Sequence, residues 1–369
     1  MFEVNSSKKI FHANTLENIY NEQISNSLPY VVRTTKNNGI VGYINENQIY
    51  ANEANTLSFA QDTFTVFYQK QKYFTGNKVK VLKSKFDLKN SNVMHFLVAC
   101  FQKVLANLSW GDGSTVTSIQ QIKIQLPINR DGDIDFEFME SFVAELEAER
   151  VAELEAYLAA ASLKDYELTA AELSALSKFE NYNWGEFRIG DLFEKLNLSF
   201  RKSKFNKDND VSKIKNSEFS IPLVNAKDGD NGIMYYGRPQ DFETATMTID
   251  IVNDGAVSTG NVYPQPQETG VLYNAYLIKS KFTASKSLLY FFATAIQKSI
   301  KLKFSYELKA SWERVKNENI KLPITQNGEI DFEFMNNFIK AIEKLVIKDV
   351  VLYADNKIKA TKSIVSSNQ

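Results

Sequence analysis

A segment of twenty residues occurs twice in this chain, and the two copies lie 196 residues apart. Residues 124–143 read IQLPINRDGDIDFEFMESFV, residues 320–339 read IKLPITQNGEIDFEFMNNFI, and twelve of the twenty positions are identical. Self-similarity at a fixed spacing indicates that one structural unit is repeated along a chain. The sequence therefore predicts a duplicated architecture rather than one core built from all 369 residues.

Weaker matches extend the repeat toward the N-terminus of each half. Lys83-Ser84-Lys85-Phe86 recurs as Lys279-Ser280-Lys281-Phe282 at the same spacing, Pro29 matches Pro222 at a spacing of 193, and Thr75-Gly76-Asn77 matches Thr259-Gly260-Asn261 at 184. A drifting spacing indicates insertions and deletions, which surface loops tolerate. Each half is therefore predicted to hold a variable domain of about 120–140 residues followed by the well-matched segment.

The repeated segment reads as a turn followed by a long helix. Asp131-Gly132 and Asn327-Gly328 supply turns, and Asp135 and Asp331 stand where each can cap a first helical turn. Apolar residues then recur at three- and four-residue steps, which predicts a helix with an apolar stripe in each half. For one copy alone, such a stripe is explained by a helix that faces its own core. Two copies at the same place favour packing of the two helices against each other.

The charges of these two predicted helices differ. Residues 135–160 contain eight acidic residues and one Arg, whereas residues 331–362 contain six Lys and five acidic residues. We therefore predict an α+β chain in which two mixed α/β domains are joined by two long antiparallel helices, a coiled-coil spacer, with pseudo-two-fold symmetry. The predicted boundaries are 1–130 for the first domain, 131–180 for the first helix and a connector, 181–326 for the second domain and 327–369 for the second helix.

Composition excludes several classes of protein. The formal net charge is −1, so any basic surface that binds nucleic acid must be local, and the single cysteine excludes intrachain disulfides and a cysteine-built zinc site. No basic stretch followed by an apolar run opens the chain, and no apolar run approaches the length of a membrane span. We expect a cytoplasmic protein without a membrane association.

The repeated segment and the opening of the second domain resemble the specificity subunits of type I restriction-modification systems and the related subunits of type IIB systems. The residues that carry the resemblance are Leu126-Pro127-Ile128 with Asp135-Phe136-Glu137-Phe138-Met139, the second copy at residues 322–335, and the opening of the second domain at residues 184–193. The resemblance covers nearly the whole chain as an architecture, whereas its specific motifs cover about a fifth of it. Phe2-Glu3-Val4 is the expected counterpart of that opening in the first half, and the connector at residues 163–179 has no counterpart after the second helix.

The resemblance implies a division of labour. Each variable domain would read one half of a split site in double-stranded DNA, and the two helices would set the distance between the halves. A methyltransferase subunit carrying S-adenosylmethionine would dock on the helices and modify adenine. A restriction subunit or a fused nuclease, with its Mg²⁺, would cut unmodified DNA. This chain itself would bind no cofactor and no metal.

Candidate DNA-binding residues come from local basic stretches and polar loops. Residues 201–215 contain six Lys or Arg against two Asp, and residues 70–89 contain seven Lys against one Asp; basic side chains contact phosphates, while amides and hydroxyls read base edges. A solvated loop explains each stretch equally well, and the aromatic candidates fit a groove or simple packing. The candidates are Arg33, Lys36, Asn37, Asn38, Lys70, Lys72, Tyr73, Lys78, Trp110, Ser114, Arg201, Lys202, Lys204, Lys207, Lys227, Asn231, Arg238, Tyr306, Lys309 and Trp312.

Catalytic motifs are missing from the sequence. None of the seven prolines forms the Pro-Pro pair of an adenine methyltransferase, and neither a Gly-rich cofactor loop nor G-x-x-x-x-G-K-[ST] is present. The sequence therefore favours a non-catalytic DNA reader. Two alternatives remain open, namely a standalone nuclease or modifying enzyme with duplicated DNA-binding domains, and a defence-associated adaptor that binds protein.

Overall fold

The structure, a computed structural model, describes residues 1–88, 90–108 and 115–367, with side chains through residue 359. The chain divides into two compact units. Unit 1 comprises Met1–Ala156 and Asn356–Gln369, and unit 2 comprises Tyr157–Asp355. Both are α+β, as predicted. No helix within the described ranges is long and apolar enough to cross a membrane.

Unit 1 contains two sheets. Its elements are β1 (Phe2–Ser6), β2 (Leu28–Val31), β3 (Ile40–Ile44), β4 (Thr56–Ala60), β5 (Thr65–Gln69), β6 (Phe74–Thr75), β7 (Val79–Ser84), α1 (Ser91–Leu105), α2 (Val116–Gln120) and α3 (Phe136–Ala160), the last of which extends a few residues into unit 2. The larger sheet is antiparallel in the order β1-β7-β4-β5. The smaller sheet has the order β3-β2-β6, with β2 parallel to β6.

Unit 2 repeats this plan and adds to it. Its elements are α4 (Ala170–Lys178), β8 (Trp184–Arg188), α5 (Ile189–Leu192), β9 (Phe193–Lys195), α6 (Lys207–Asp210), β10 (Val211–Ser212), β11 (Ile221–Val224), β12 (Ile233–Gly237), β13 (Thr248–Val252), β14 (Val262–Gln265), β15 (Gly270–Val271), β16 (Ala275–Ser280), α7 (Lys286–Ile300), α8 (Trp312–Val315), β17 (Asn319–Pro323) and α9 (Phe332–Ser367). The sheets have the orders β14-β13-β16-β9, β10-β12-β11-β15 and β17-β8. Helix α9 continues beyond residue 355 into unit 1.

The strand pairing shows which elements of the two units correspond. In the larger sheets β1, β4, β5 and β7 occupy the places of β9, β13, β14 and β16, and in the smaller sheets the parallel pair of β2 and β6 corresponds to that of β11 and β15. Helix α1 corresponds to α7. The duplication inferred from residues 124–143 therefore extends through both sheets and the following helix of the variable domain.

The strand register contradicts one of the predicted matches and agrees with another. Thr75 lies in β6, whose counterpart is β15, so Thr75 corresponds to Val271 and not to Thr259, which lies in the β13–β14 loop. Phe2 pairs with Ser84 as Phe193 pairs with Ser280, so the counterpart of Phe2 is Phe193, which lies within the opening predicted at residues 184–193. The two Thr-Gly-Asn motifs do not correspond, because the second lies in the β13–β14 loop, which is longer than the turn between β4 and β5.

The turn and cap predicted for the repeated segment are confirmed. Ile128 and Ile134 form an antiparallel bridge, as do Ile324 and Ile330, and the glycine in each turn has a positive φ, +86° at Gly132 and +81° at Gly328. Asp135 Oδ1 accepts a 2.8 Å hydrogen bond from Phe138 N, and Asp331 Oδ1 accepts one of the same length from Phe334 N. These bonds satisfy free N–H groups of the first turns of α3 and α9.

A reciprocal pair of amide side chains holds the turn before β3 and the turn before β12. Asn38 donates to the carbonyl of Tyr68 (2.8 Å) while Gln69 donates to the carbonyl of Asn38 (3.0 Å). In unit 2, Asn231 donates to the carbonyl of Pro264 (3.0 Å) and Gln265 donates to the carbonyl of Asn231 (2.7 Å). Both asparagines have positive φ, +54° and +52°. The two units therefore fix the same strained turn with the same pair of amides.

Replacing Gln265 with alanine tests this amide pair. Gln265 is fully buried, and its removal leaves the Asn231 carbonyl without this donor, so we expect the free energy of unfolding to fall by about 1–3 kcal/mol. Urea unfolding followed by circular dichroism measures the change. Gln240→Ala, at an exposed position, should leave the midpoint unchanged, and equal midpoints for both variants would contradict a structural role for the amide.

Candidate nucleic-acid interface

Three loops of unit 1 meet at one end of its sheets, here called the loop end. They are residues 32–36 after β2, residues 61–64 between β4 and β5, and residues 76–78 between β6 and β7. Gly76 N donates to Val31 O (2.8 Å), and Gln61 N donates to Lys78 O (3.0 Å), so the backbone holds the three loops together. Polar loops on a rigid sheet are a frequent location for recognition residues.

The loop end of unit 2 is built by the equivalent bonds. Leu272 N donates to Val224 O (2.9 Å), and Asn253 N donates to Asn274 O (2.9 Å). The loops are residues 225–229, 253–261 and 272–274, joined by residues 303–310 through a bond from Ala310 N to Asn253 O (3.0 Å). The two units thus present different side chains on one shared backbone frame.

An acidic residue holds basic side chains at each loop end. In unit 1, Asp62 pairs with Arg33 and with Lys78 (3.1 Å), and in unit 2 the equivalent Asp254 pairs with Lys309 (2.6 Å). Desolvation raises the pKa of Asp62, but hydrogen bonds from Lys78 and Arg33 outweigh it and lower that pKa overall. Each carboxylate therefore holds predicted DNA-binding cations in place through ion pairs.

Several other candidates lie at the loop ends. Lys36 is exposed beside Arg33, and Tyr306 is exposed in the loop that carries Lys309. Lys227 pairs with the neighbouring Asp230 (3.0 Å). Lys36 and Tyr306 therefore remain available to a ligand. Trp110 and Ser114 lie outside the described residues, so their predicted role stays a prediction.

The predicted basic stretch at residues 70–89 is divided by the fold. Thr56 pairs with Gln69 at one end of the sheet and Ala60 pairs with Thr65 at the other, next to the 61–64 turn. Lys70 and Lys72 follow Gln69, so they lie at the end opposite Lys78. One continuous run of lysines in the sequence therefore forms two separate surfaces.

The basic stretch at residues 201–215 is partly neutralised. Lys202 Nζ lies 2.6 Å from Asp241 and 3.0 Å from Asp210, and Arg238 pairs with Glu218 at 2.7 Å. Asp210 and Asp241 are buried. Lys202 and Arg238 therefore compensate these buried negative charges within the unit. Lys207 lies over the Tyr235 ring at 5.4 Å. Arg201 and Lys204 are exposed and make no ion pair within the described ranges.

Other predicted residues have structural positions. Tyr73 is fully buried, and its hydroxyl lies 3.1 Å from the Thr56 hydroxyl, so its prediction as a DNA contact is corrected because the side chain is enclosed. The amides of Asn38 and Asn231 bond within the turns described above, and that of Asn37 donates to Ile40 O (3.0 Å). Trp312 packs edge-on against Tyr276, with ring centroids 6.2 Å apart, which leaves it partly in the core.

Sequence reasoning missed four residues of this frame, namely Asp62, Asp254, Gln69 and Gln265. The two glutamines lie 196 residues apart, the spacing of the main repeat, so a signal was present. The two aspartates lie 192 apart because of loop-length differences. Only the strand register shows that the two aspartates correspond.

A buried acid distinguishes unit 2. Asp250, on β13, is fully buried, and neither carboxylate oxygen has a hydrogen-bond partner. Burial raises the pKa of Asp250 well above its usual range. The equivalent residue in unit 1 is Ser58, whose hydroxyl accepts a 3.0 Å hydrogen bond from Gln69.

Stability should therefore depend on the ionisation of Asp250. An acid whose pKa is raised by folding binds protons more tightly in the folded state than in the unfolded state. The contribution of Asp250 to the free energy of unfolding is therefore largest below about pH 4, and it falls as the pH rises from there toward the folded-state pKa. We expect Asp250→Asn to be more stable than the wild type at pH 8 and to lose most of this advantage near pH 5. Urea unfolding at the two pH values measures it, with exposed Asp208→Asn as control. A constant difference across pH would contradict the assignment.

The chain thus contains two copies of one α+β fold, and each copy is followed by a long helix. The two copies present different side chains on a common loop frame. Together these features define a duplicated recognition protein. Residues 1–156 and 181–352 match the family described as the type I restriction modification DNA specificity domain, so the chain belongs to this family and contains two copies of its domain. The predicted resemblance is confirmed, and recognition of DNA sequence is the role of the family.

Two known proteins are similar to this chain. It is 21% identical over 325 residues to the type II restriction enzyme specificity subunit S.BcgI of Heyndrickxia coagulans, with 87% of this chain and 88% of that protein covered. Its fold is similar to the crystal structure of the type I restriction-modification S subunit from M. genitalium, with a TM-score of 0.59 and 14% identity over 99% of this chain and 92% of that one. The structural likeness supports the fold alone.

Proposed function

We propose that this chain is the DNA-reading subunit of a restriction-modification complex and that it recognises a bipartite target, one half with each unit. The observation that carries the proposal is the duplicated loop end. The same backbone bonds support Arg33, Lys36 and Lys78 in one unit and Lys227 and Lys309 in the other. A shared frame with different side chains suits the reading of two different base sequences.

We propose further that α3 and α9 lie antiparallel as the spacer between the half-sites. An ion pair inside unit 1 joins Glu147 of α3 to Lys357 of α9, and Lys344 of α9 pairs in unit 2 with Asp165 (2.9 Å), which follows α3. Helix α3 has 25 residues, which corresponds to ~38 Å at ~1.5 Å per residue. That length is about one turn of B-DNA, so several base pairs between the half-sites should be unread.

The chemistry in this proposal belongs to partner subunits. A methyltransferase carrying S-adenosylmethionine modifies adenine in each half-site, and a nuclease with Mg²⁺ cuts unmodified DNA. Within the described ranges, no group of three His, Cys, Asp or Glu side chains is placed to hold a metal ion. The chain contributes sequence reading and the docking surfaces for those partners.

A methylome measurement tests the proposal. The chain is co-expressed with the methyltransferase encoded beside it, and N6-methyladenine is mapped across the host genome. Two short defined sequences around a fixed gap are expected, and methylation should vanish when this chain is omitted. A single undivided motif, or methylation that is independent of the chain, would contradict the bipartite reading. Magnesium-dependent cleavage by the isolated chain would instead support the nuclease alternative.

A further inference from the structure

Four large apolar side chains are exposed at the loop end of unit 2. Their exposed fractions are 73% for Val257, 72% for Tyr273, 65% for Tyr306 and 44% for Leu308. The first lies in the loop between β13 and β14, the second in the loop between β15 and β16, and the last two in the loop that precedes α8. We call these four residues the apolar set.

Backbone hydrogen bonds hold the loops of the apolar set together. Asn253 N donates to Asn274 O (2.9 Å), which joins the loop of Val257 to the loop of Tyr273. Ala310 N donates to Asn253 O (3.0 Å), which joins the third loop to the other two. The four side chains therefore belong to one continuous surface on a common frame.

The loop that carries Val257 is fixed further by side chains. Lys301 Nζ donates to Val257 O (2.8 Å) and to Thr259 O (3.2 Å). Thr259 Oγ1 donates to Gly255 O (2.6 Å) and accepts from Gly255 N (2.9 Å). A β-branched side chain on a fixed backbone has few rotamers. Val257 is therefore presented to solvent in a defined position, which lowers the entropic cost of a contact.

The corresponding loops of unit 1 have a different character. Gly76 N and Leu272 N make the equivalent bonds to the ends of β2 and β11, so Tyr273 corresponds to Asn77, which is polar and exposed. In the described loops 32–36, 61–64 and 76–78, none of the large apolar side chains is exposed. At an equivalent position one unit therefore presents an amide and the other an aromatic ring.

The charges of the two loop ends also differ. The three described loops of unit 1 contain three basic residues and one acid, whereas the four loops of unit 2 contain three Lys and three acidic residues. Binding to phosphates requires a surplus of basic side chains. The loop end of unit 2 is therefore better suited to contacts with base edges than to contacts with the backbone of DNA.

We propose that the apolar set reads thymine through its C5-methyl group in the major groove of the half-site that unit 2 recognises, with Val257 and Tyr273 as the principal contacts. This inference rests on the proposed function. The methyl group of thymine is the apolar feature at a base edge in the major groove, and apolar side chains recognise it. Asn77 at the place of Tyr273 suits unit 1 to hydrogen bonding with base edges instead.

Deoxyuridine tests the proposal on the DNA, because it pairs as thymidine does and lacks only the methyl group. Duplexes carry the methylated motif with all thymines of one half-site replaced, and fluorescence anisotropy measures binding of the complex with the methyltransferase. Replacement in the half-site of unit 2 should weaken binding about three- to tenfold, since the burial of methyl groups is lost. Equal affinities for all duplexes would overturn the proposal. Without any preference for the motif over a scrambled duplex, the proposed function itself fails.

A pair of double variants tests the residues. Val257→Ser/Tyr273→Asn removes the apolar contacts, so it should bind the thymine duplex about three- to tenfold more weakly and should lose nothing more with deoxyuridine in the half-site of unit 2. Val257→Thr/Tyr273→Phe keeps a methyl group and a ring, and it should retain the deoxyuridine effect. Circular dichroism checks that both variants fold.

Two results with these variants would overturn the assignment to thymine. If Val257→Ser/Tyr273→Asn shows the same deoxyuridine effect as the wild type, other residues contact the methyl groups. If this variant binds DNA normally but assembles poorly with the methyltransferase, the apolar set belongs to a protein interface. Both results leave the recognition of a bipartite target by the two units intact.

Discussion

Exchanging residues 184–323 for the equivalent segment of another specificity subunit should change one half of the methylated motif completely and leave the other half unaltered. The exchange replaces the loop end that carries Lys227 and Lys309, whereas the loop end with Arg33 and Lys78 is retained. The structure sets the limits of the exchange, since β8 and β17 pair with each other and must be transferred together. Methylome mapping of the hybrid measures the outcome.

The reciprocal exchange is the matched control. Replacing residues 1–126 should change the other half of the motif only, and the gap should stay constant in both hybrids because α3 and α9 are retained. A hybrid that alters both halves, or alters the gap, would show that the two units do not read independently. The bipartite reading would then have to be abandoned.

Removing two basic side chains at the loop end of unit 1 should weaken DNA binding by about ten- to a hundredfold. Lys36→Ala/Lys78→Ala eliminates two candidate partners of DNA phosphates, and the slope of log K against log salt should fall by about 0.9 for each phosphate that is no longer neutralised. Fluorescence anisotropy of the assembled complex with a duplex carrying the methylated motif, at several salt concentrations, provides both quantities.

Lys70→Ala/Lys72→Ala removes the same charge from the same unit at the opposite end of the sheet. This control should keep the wild-type affinity and the wild-type salt slope. If the control loses as much affinity as the loop-end variant, binding does not depend on the loop end. Weaker binding by the control alone would place the DNA at the other end of the sheet.

The sequence predicted the duplication, both long helices and their caps, because these features depend on local patterns. Asp135 and Asp331 cap as expected. Sheet order could not be predicted, since the pairing of β4 with β7 and of β2 with β6 joins strands that are distant in sequence. Local periodicity carries no information about such partners.

The candidate site was predicted less completely. Proximity along the chain grouped Lys70 with Lys78, but an intervening strand places them at opposite ends of a sheet. Lys202 was predicted from the local density of charge, whereas its partners Asp210 and Asp241 are buried by tertiary packing.

Helix α9 leaves unit 2 and ends within unit 1, so unit 1 is assembled from two stretches of chain, with unit 2 inserted between them. During synthesis, unit 2 is complete once residue 355 has emerged from the ribosome, but unit 1 must wait for residues 356–367. Domains fold as units in the order in which they become available. The nascent chain should therefore finish the later of its two units first, and α3 should gain the partner that Lys357 provides at Glu147 only after residues 356–367 have emerged.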